Sequence, residues 1–394
     1  MSASVEPRDP SPSGTQPVGD QRATSLELFF DLVYVFAFTQ VTHLMATGAN
    51  LTSVLGGAAV LGVLWWSWAS HAWLANQSPA DRGVARVGIL IAIAIVLVLS
   101  IAIPEVYPSP GESPFGALLF AVGFVLSSLA YTAVNIVLAG HDIPLRRQVL
   151  RTMGVTIVPV SAALIVGAVL GGTAQIALWL AAVAIEGLTV YLTSRNGRWQ
   201  LPSAAHYAER HGLVVILALG ESIISIGLGA AHVPLSPLVI VGSLLAVTVA
   251  LGMWWHYFDR LSINAERRID ALAGSRRTAV ATAGTYLHFG IVAGILFTSL
   301  GMGGAIEHLG EADRLGTFST IATTGGLALF FTSTAAYAWS TSSRSPWSGM
   351  IAAAIALALT PAILVVPPVV ALGTVALFSL GLTAYQRVRA GGRA

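Results

Sequence analysis

Four acids stand inside long apolar stretches of this 394-residue sequence and are its first candidates for chemistry: Glu27, Asp31, Glu186 and Glu221. An acid near the centre of a membrane-crossing helix costs about 2.5 to 3.5 kcal/mol on insertion scales, so each calls for a compensating role. Glu27 and Asp31 are four residues apart, which places both carboxylates on one helix face. Thr42, eleven residues past Asp31, returns to that face after about three turns. Glu27 is close enough to the start of its stretch to reach the membrane interface and complement the positive helix end. Asp31 lies about 9 Å from the start of the stretch and needs a partner or water. Glu221 is about 14 Å into its own stretch, near the midplane, and Ser225 follows one turn later on the same face. Glu186 has no arginine before Arg195 to neutralise it. Glu186 and Glu221 are therefore the strongest candidates for a buried carboxylate that takes and releases a proton. A helix-to-helix hydrogen bond is the structural alternative for both. His43, His71, Asn135 and His288 are their neutral companions.

A second group is polar and leads directly into the Glu221 stretch: His206-Tyr207-Ala208-Glu209-Arg210-His211-Gly212. His206 and Glu209 are three apart and share a helical face, which opens the question of a metal. No His-x-x-x-His or His-Glu-x-x-His pair accompanies them, so a cytoplasmic capping or ion-pair network of His206, Glu209 and Arg210 is the preferred reading. No metal and no cofactor is assigned. Trp65, Trp66, Trp68, Trp73, Trp254 and Trp255 read first as interfacial anchors, with packing between two halves of the chain as the alternative.

The elements that must position these groups follow from composition. Apolar residues make up 55% of the chain and charged residues only 10%, too few to cover a soluble surface. There is no cysteine, which excludes disulfides, thiolate metal sites and thiol catalysis. Runs near the ~20 residues needed to cross a bilayer lie near 25 to 47, 52 to 75, 84 to 103, 115 to 139, 152 to 170 and 174 to 194. A second set lies near 212 to 230, 236 to 258, 278 to 302, 316 to 341, 347 to 366 and 368 to 386. All 20 cationic side chains are arginines, and in this layout every one but Arg314 falls in a terminal tail or at an even-numbered loop, Arg86 standing in the first turn of the span that follows the second loop. Positive charge marks the cytoplasmic side. The expected fold is thus an all-α polytopic membrane protein of about twelve transmembrane helices, with N and C termini cytoplasmic.

The two sets of six repeat short fragments in the same order. Leu32 to Gln40 lies against Leu213 to Glu221, Trp65-Trp66 against Trp254-Trp255, and Gly187-Leu188-Thr189 against Gly381-Leu382-Thr383. With an even number of spans in each, the halves share one orientation, as in the parallel repeats of some transporters. The expected organisation is a disordered cytoplasmic tail at 1–24, a six-helix repeat at 25–194, a cytoplasmic linker at 195–211, a second repeat at 212–386 and a tail at 387–394.

Glu27-Leu28-Phe29-Phe30-Asp31-Leu32-Val33-Tyr34, followed far downstream by His206, Glu209-Arg210 and Leu219-Gly220-Glu221, resembles the bacterial low temperature requirement A family over nearly the whole chain after residue 24. The sequence departs from that family after the second span, where Asn76 is followed by Gln77-Ser78-Pro79-Ala80 in place of an acidic stretch. The resemblance implies a polytopic protein of the bacterial cell membrane, linked by name to growth in the cold, and supplies no substrate or reaction. The leading functional reading is a secondary transporter or permease, with proton coupling through intramembrane carboxylates as its mode of action. The alternatives are a membrane-embedded enzyme acting on a lipid, less favoured because no catalytic domain or metal motif is present, and a cold- or stress-related scaffold. The partners called are the lipid bilayer and an unidentified small molecule or ion. Nothing points to nucleic acid, and the oligomeric state is left open.

Overall fold

The computed structural model describes residues 22–196, 201–309, 314–342 and 345–391. Residues 1–21 of the expected N-terminal tail, 197–200 of the linker and 392–394 of the C-terminal tail lie outside the described residues. The architecture is all-α, in chain order α1 (Ser25–Gly48), α2 (Leu51–Gln77), α3 (Gly83–Ala102), α4 (Phe115–Leu138), α5 (Ile143–Leu170), α6 (Gly172–Asn196) and α7 (Ala204–Ala231). There follow α8 (Pro237–His256), α9 (Ser262–Asp270), α10 (Gly274–Glu307), α11 (Thr317–Ser342), α12 (Trp347–Ala358), α13 (Thr360–Ile363) and α14 (Pro368–Gly391).

Local chemistry sets the helix starts. Thr24 and Glu27 form a reciprocal capping box at α1, and Asn50 and Ser53 do the same at α2. Asp142, Ser203 and Ser236 cap α5, α7 and α8 by accepting from a backbone N–H in the first turn. The chain turns from α5 into α6 at Gly171 and at Gly172, the first residue of α6, both with positive φ (66° and 55°), a backbone conformation open to glycine.

Ten helices among the described residues are long and apolar enough to cross a membrane. Their outer faces carry large apolar side chains such as Val158, Val169, Leu244 and Leu377, each more than half exposed, a surface suited to lipid. The two other expected spans take different forms. α11 has 26 residues but is rich in Thr and Ser, and Thr323, Thr324 and Thr334 satisfy their hydroxyls on carbonyls one turn back in the same helix. The stretch at 347 to 366 is interrupted, with α12 ending at Ala358 and Pro361 in the short α13.

α10 is the central post, touching α1, α2, α6, α7, α8, α11 and α14. Its glycines let α11 approach closely: a Cβ on Gly294 would stand 2.6 Å from Phe330 N, and one on Gly301 would stand 2.6 Å from Thr323 N. α1 packs on α2 and α3, α2 on α6, α3 on α4, and α4 on α5. Later in the chain α7 packs on α8 and α10, α8 on α14, α10 on α11, and α11 on α12.

Two expectations are corrected here. Trp65, Trp66 and Trp68 of α2 are not interfacial anchors: all three are buried, and Trp65 and Trp66 pack on Phe289 and Tyr286 of α10. α7 begins at Ala204, eight residues before the apolar run that marks it in the sequence, so the motif from His206 to His211 is its first two turns. Hydropathy misses this start because the turns are polar and are satisfied by tertiary partners.

Candidate functional site

α1 and α7 lie side by side, and their polar contacts keep one interval. Glu27 meets His206, Asp31 meets Arg210, and Thr42 meets Glu221, each pair 179 positions apart. A constant interval means that the two helices run in the same direction and in register, since antiparallel helices would give a constant sum. Residues 27, 31 and 42 form one stripe of α1, and 206, 210 and 221 form the facing stripe of α7.

At the starting end of the stripe is a buried ionic cluster. Arg210 is 1% exposed and grips Asp31 with two prongs, Nη1 to Oδ2 and Nη2 to Oδ1, both 2.7 Å. Trp68 of α2 donates its Nε1 to Asp31 Oδ1 at 2.9 Å. Arg210 Nε has no hydrogen-bond acceptor but lies 3.8 Å from Glu27 Oε1. Such a two-pronged geometry is what allows a desolvated pair to hold. Arg210, counted from sequence among the cytoplasmic loop arginines, is therefore a core residue.

Glu27 is acceptor to three groups. Thr24 N donates to its Oε2 at 2.7 Å, Thr24 Oγ1 to Oε2 at 2.8 Å, and His206 Nε2 to Oε1 at 2.8 Å. The tautomer of His206 follows from Asn76 on α2. Asn76 Oδ1 accepts from Ser203 N at 3.2 Å and its Nδ2 donates to Ser203 O at 2.8 Å, which fixes the amide orientation. The same Nδ2 faces His206 Nδ1 at 3.3 Å, so Nδ1 is the acceptor and Nε2 carries the proton given to Glu27. Glu209 points elsewhere, accepting from Ala23 N at 2.8 Å, and so tethers the chain before α1 to α7.

Eleven residues further along the stripe, about 16 Å at helical rise, is Glu221. It is fully buried and receives three hydroxyls: Thr39 to Oε2 at 2.6 Å, Thr42 to Oε1 at 2.6 Å and Ser225 to Oε1 at 2.7 Å. No cation among the described residues pairs with it. Thr39 Oγ1 also lies 3.1 Å from Val35 O, and Thr42 Oγ1 lies 3.2 Å from Phe38 O. A hydroxyl has one proton and two lone pairs. With Glu221 ionised, both threonines turn that proton to the carboxylate. With Glu221 protonated, they turn it to the helix carbonyls and can accept from the acid. Either state is hydrogen-bonded after rotation of hydroxyl protons alone.

The site thus gathers Glu27, Asp31, His206 and Arg210 in one cluster, with Glu221 and Ser225 as a second station. Glu186 is not brought to either; it stands on α6 beside a separate cavity. His43 is exposed, Asn135 bonds to Tyr131 O of its own helix, and His288 pairs with Tyr257 OH at 2.8 Å. Sequence reasoning passed over Trp68, Asn76, Ser203 and Thr39 as site residues. Asn76 carried a signal, as the residue where the family pattern breaks off; Thr39 carried none.

The family description that matches the sequence is the bacterial low temperature requirement A protein, over residues 22–384. An uncharacterized protein of Rhizobium meliloti (strain 1021) is 28% identical over 324 residues, covering 79% of this chain and 76% of the relative. No solved structure matches.

Proposed function

As a member of the bacterial low temperature requirement A family, this chain is a multi-pass membrane protein, and we propose that it is a secondary transporter or permease that couples solute movement to a proton carried on Glu221. The observation that carries the reading is a fully buried acid with three hydroxyl donors and no cationic partner among the described residues. Asp31 is matched by the fixed charge of Arg210, whereas Glu221 has hydroxyl partners that accommodate both of its protonation states.

The proposal includes twelve crossings as two parallel six-helix repeats, termini in the cytoplasm and residence in the cell membrane. Three observations support it. Five neighbour pairs of the first six helices have counterparts among the later ones, although the close α5–α6 pair does not. The equivalent helices α1 and α7 meet in parallel register. Setting Arg210 aside, all arginines but Arg314 still fall on one side of the expected layout. In such a carrier the boundary between halves holds the moving proton, and access alternates around it.

Proteoliposomes enclosing a pH-sensitive dye test the coupling. A panel of small metabolites added outside is expected to include one that evokes internal acidification, abolished by Glu221→Gln. Solute flux with the same pH dependence in wild type and Glu221→Gln would remove Glu221 from the mechanism.

A further inference from the structure

We propose that the cavity enclosed by α2, α4, α5, α6 and α10 binds a small organic ammonium ion, with Glu186 as its counter-charge and aromatic rings as its walls. The cavity has two adjoining lobes of about 90 Å³ and 40 Å³, whose linings share Ser70, Tyr131, Met153 and Val190; Trp66, Trp73 and Tyr286 line the larger and Glu186 the smaller. Since a cavity of roughly 150 Å³ takes up benzene, the two lobes suit a ligand about the size of a single ring.

Glu186 lines the smaller lobe and is 8% exposed. No hydrogen bond or ion pair from a described residue reaches its carboxylate, in contrast to Glu27, Asp31 and Glu221. No arginine lines either lobe, and the nearby buried guanidinium, Arg210, is committed to Asp31. A buried carboxylate without a protein partner is completed by a proton or by a cationic ligand. The walls favour the ligand.

Trp66 and Tyr286 meet edge to face with ring centroids 4.9 Å apart, and Tyr286 OH donates to Gly187 O at 2.5 Å. Both rings therefore rest against the turn of α6 that carries Glu186. A Cβ on residue 187 would come within 3.1 Å of Trp66 Cζ2, so glycine there admits the ring. Trp73 and Tyr131 add two further aromatic side chains to the lining. Aromatic faces beside a carboxylate attract an ammonium through the ring quadrupole and the full charge together. A metal ion is not matched, because no group of three or more His, Cys, Asp or Glu side chains suited to one occurs among the described residues. The serine and threonine hydroxyls of the lining, such as Ser70 and Thr285, offer acceptors for ammonium N–H groups.

The inference names the substrate class of the permease proposed above and rests on that reading only for the word substrate, since binding is measured apart from flux. Equilibrium dialysis of labelled tetramethylammonium against the full chain in lipid nanodiscs is the test. The expected result is saturable binding displaced by butylammonium and not by butan-1-ol, its neutral counterpart. Glu186→Gln is expected to weaken binding roughly thirtyfold or more, the scale for removing one partner of a desolvated charge pair. Trp66→Leu should weaken it about threefold or more, in line with a cation–π contact. Absence of saturable binding in the wild type, or displacement by butan-1-ol equal to that by butylammonium, overturns the site without recourse to any variant. Equal affinity in a Glu186→Gln protein that elutes as the wild type does also overturns it. Binding without flux in liposomes leaves the site standing and defeats the transporter reading; flux without ammonium binding does the reverse.

Discussion

Asp31 and Arg210 are 179 positions apart and meet in two contacts of 2.7 Å, at the same interval that joins Thr42 to Glu221 further along the same two helices. One register thus fixes both an ion pair and the hydroxyl-lined acid Glu221. The first is locked, with a full counter-charge and a tryptophan N–H; the second is held by hydroxyls alone.

Removing Arg210 leaves Asp31 buried and unmatched, and removing Asp31 leaves Arg210 only its 3.8 Å contact with Glu27. Asp31→Asn and Arg210→Met should each lower stability by about 3 to 5 kcal/mol. Combined, they should recover part of that loss, because neither member of the pair is left facing a missing partner and the new amide oxygen would still accept from Trp68, while Glu27 loses the nearby guanidinium. Thermal unfolding of the four proteins in one detergent measures the cycle. A double variant as unstable as the sum of the singles would show that the charges do not act as a pair.

The sequence carried one side of this arrangement. The spacing of Glu27, Asp31 and Thr42 follows helical periodicity, so their common face is legible from residue numbers alone. The facing stripe is not. His206 and Arg210 sit in a polar segment that hydropathy assigns to a loop, and only the partners Glu27, Asp31 and Asn76, supplied by other helices, make it the start of α7. Cation counting erred on Arg210 for the same reason, since charge placement assumes that arginines in short connections face water. Trp65 and Trp66 were open to two readings because an aromatic pair near a span end looks the same whether it meets lipid headgroups or a neighbouring helix. The isolation of Glu186 could not be read at all: it depends on which helices surround α6.

Glu221 offers a direct spectroscopic reading of its proton. Infrared difference spectra between acid and alkaline samples should contain a carboxyl C=O band that is missing in Glu221→Gln. Thr42→Val removes one hydroxyl partner and should move the band of the protonated acid to higher frequency, since a carbonyl with fewer hydrogen bonds vibrates faster. Identical difference spectra in wild type and Glu221→Gln would mean that Glu221 does not change protonation over that range.

Asn76 fixes the tautomer of His206, and that is open to nitrogen-15 spectroscopy on histidine-labelled protein. In the wild type the His206 signals should be those of a neutral ring protonated at Nε2. Asn76→Asp replaces a donor with an acceptor opposite Nδ1 and should produce a ring protonated on both nitrogens. It also leaves Ser203 O without its donor, a loss of about 1 to 3 kcal/mol for an unmet buried group. A His206 ring unchanged by the substitution would detach Asn76 from the cluster.

Two glycines with opposite surroundings separate packing from backbone propensity. A methyl group on Gly294 would stand 2.6 Å from Phe330 N and 2.8 Å from Gly326 O, atoms of a helix backbone that cannot turn aside. Gly294→Ala should force α10 and α11 apart and cost about 1 to 3 kcal/mol, the usual range for overfilling a packed contact. Gly220, immediately before Glu221, has no atom within 4 Å of a Cβ built on it and lies in the interior of α7. Gly220→Ala should therefore gain about 0.5 to 1 kcal/mol by helix propensity. Unfolding midpoints in one lipid or detergent compare the two directly. A loss of proton-coupled flux in the more stable Gly220→Ala protein would show that the turn before Glu221 has to flex during the cycle, a demand that the static hydrogen bonds around the acid do not reveal.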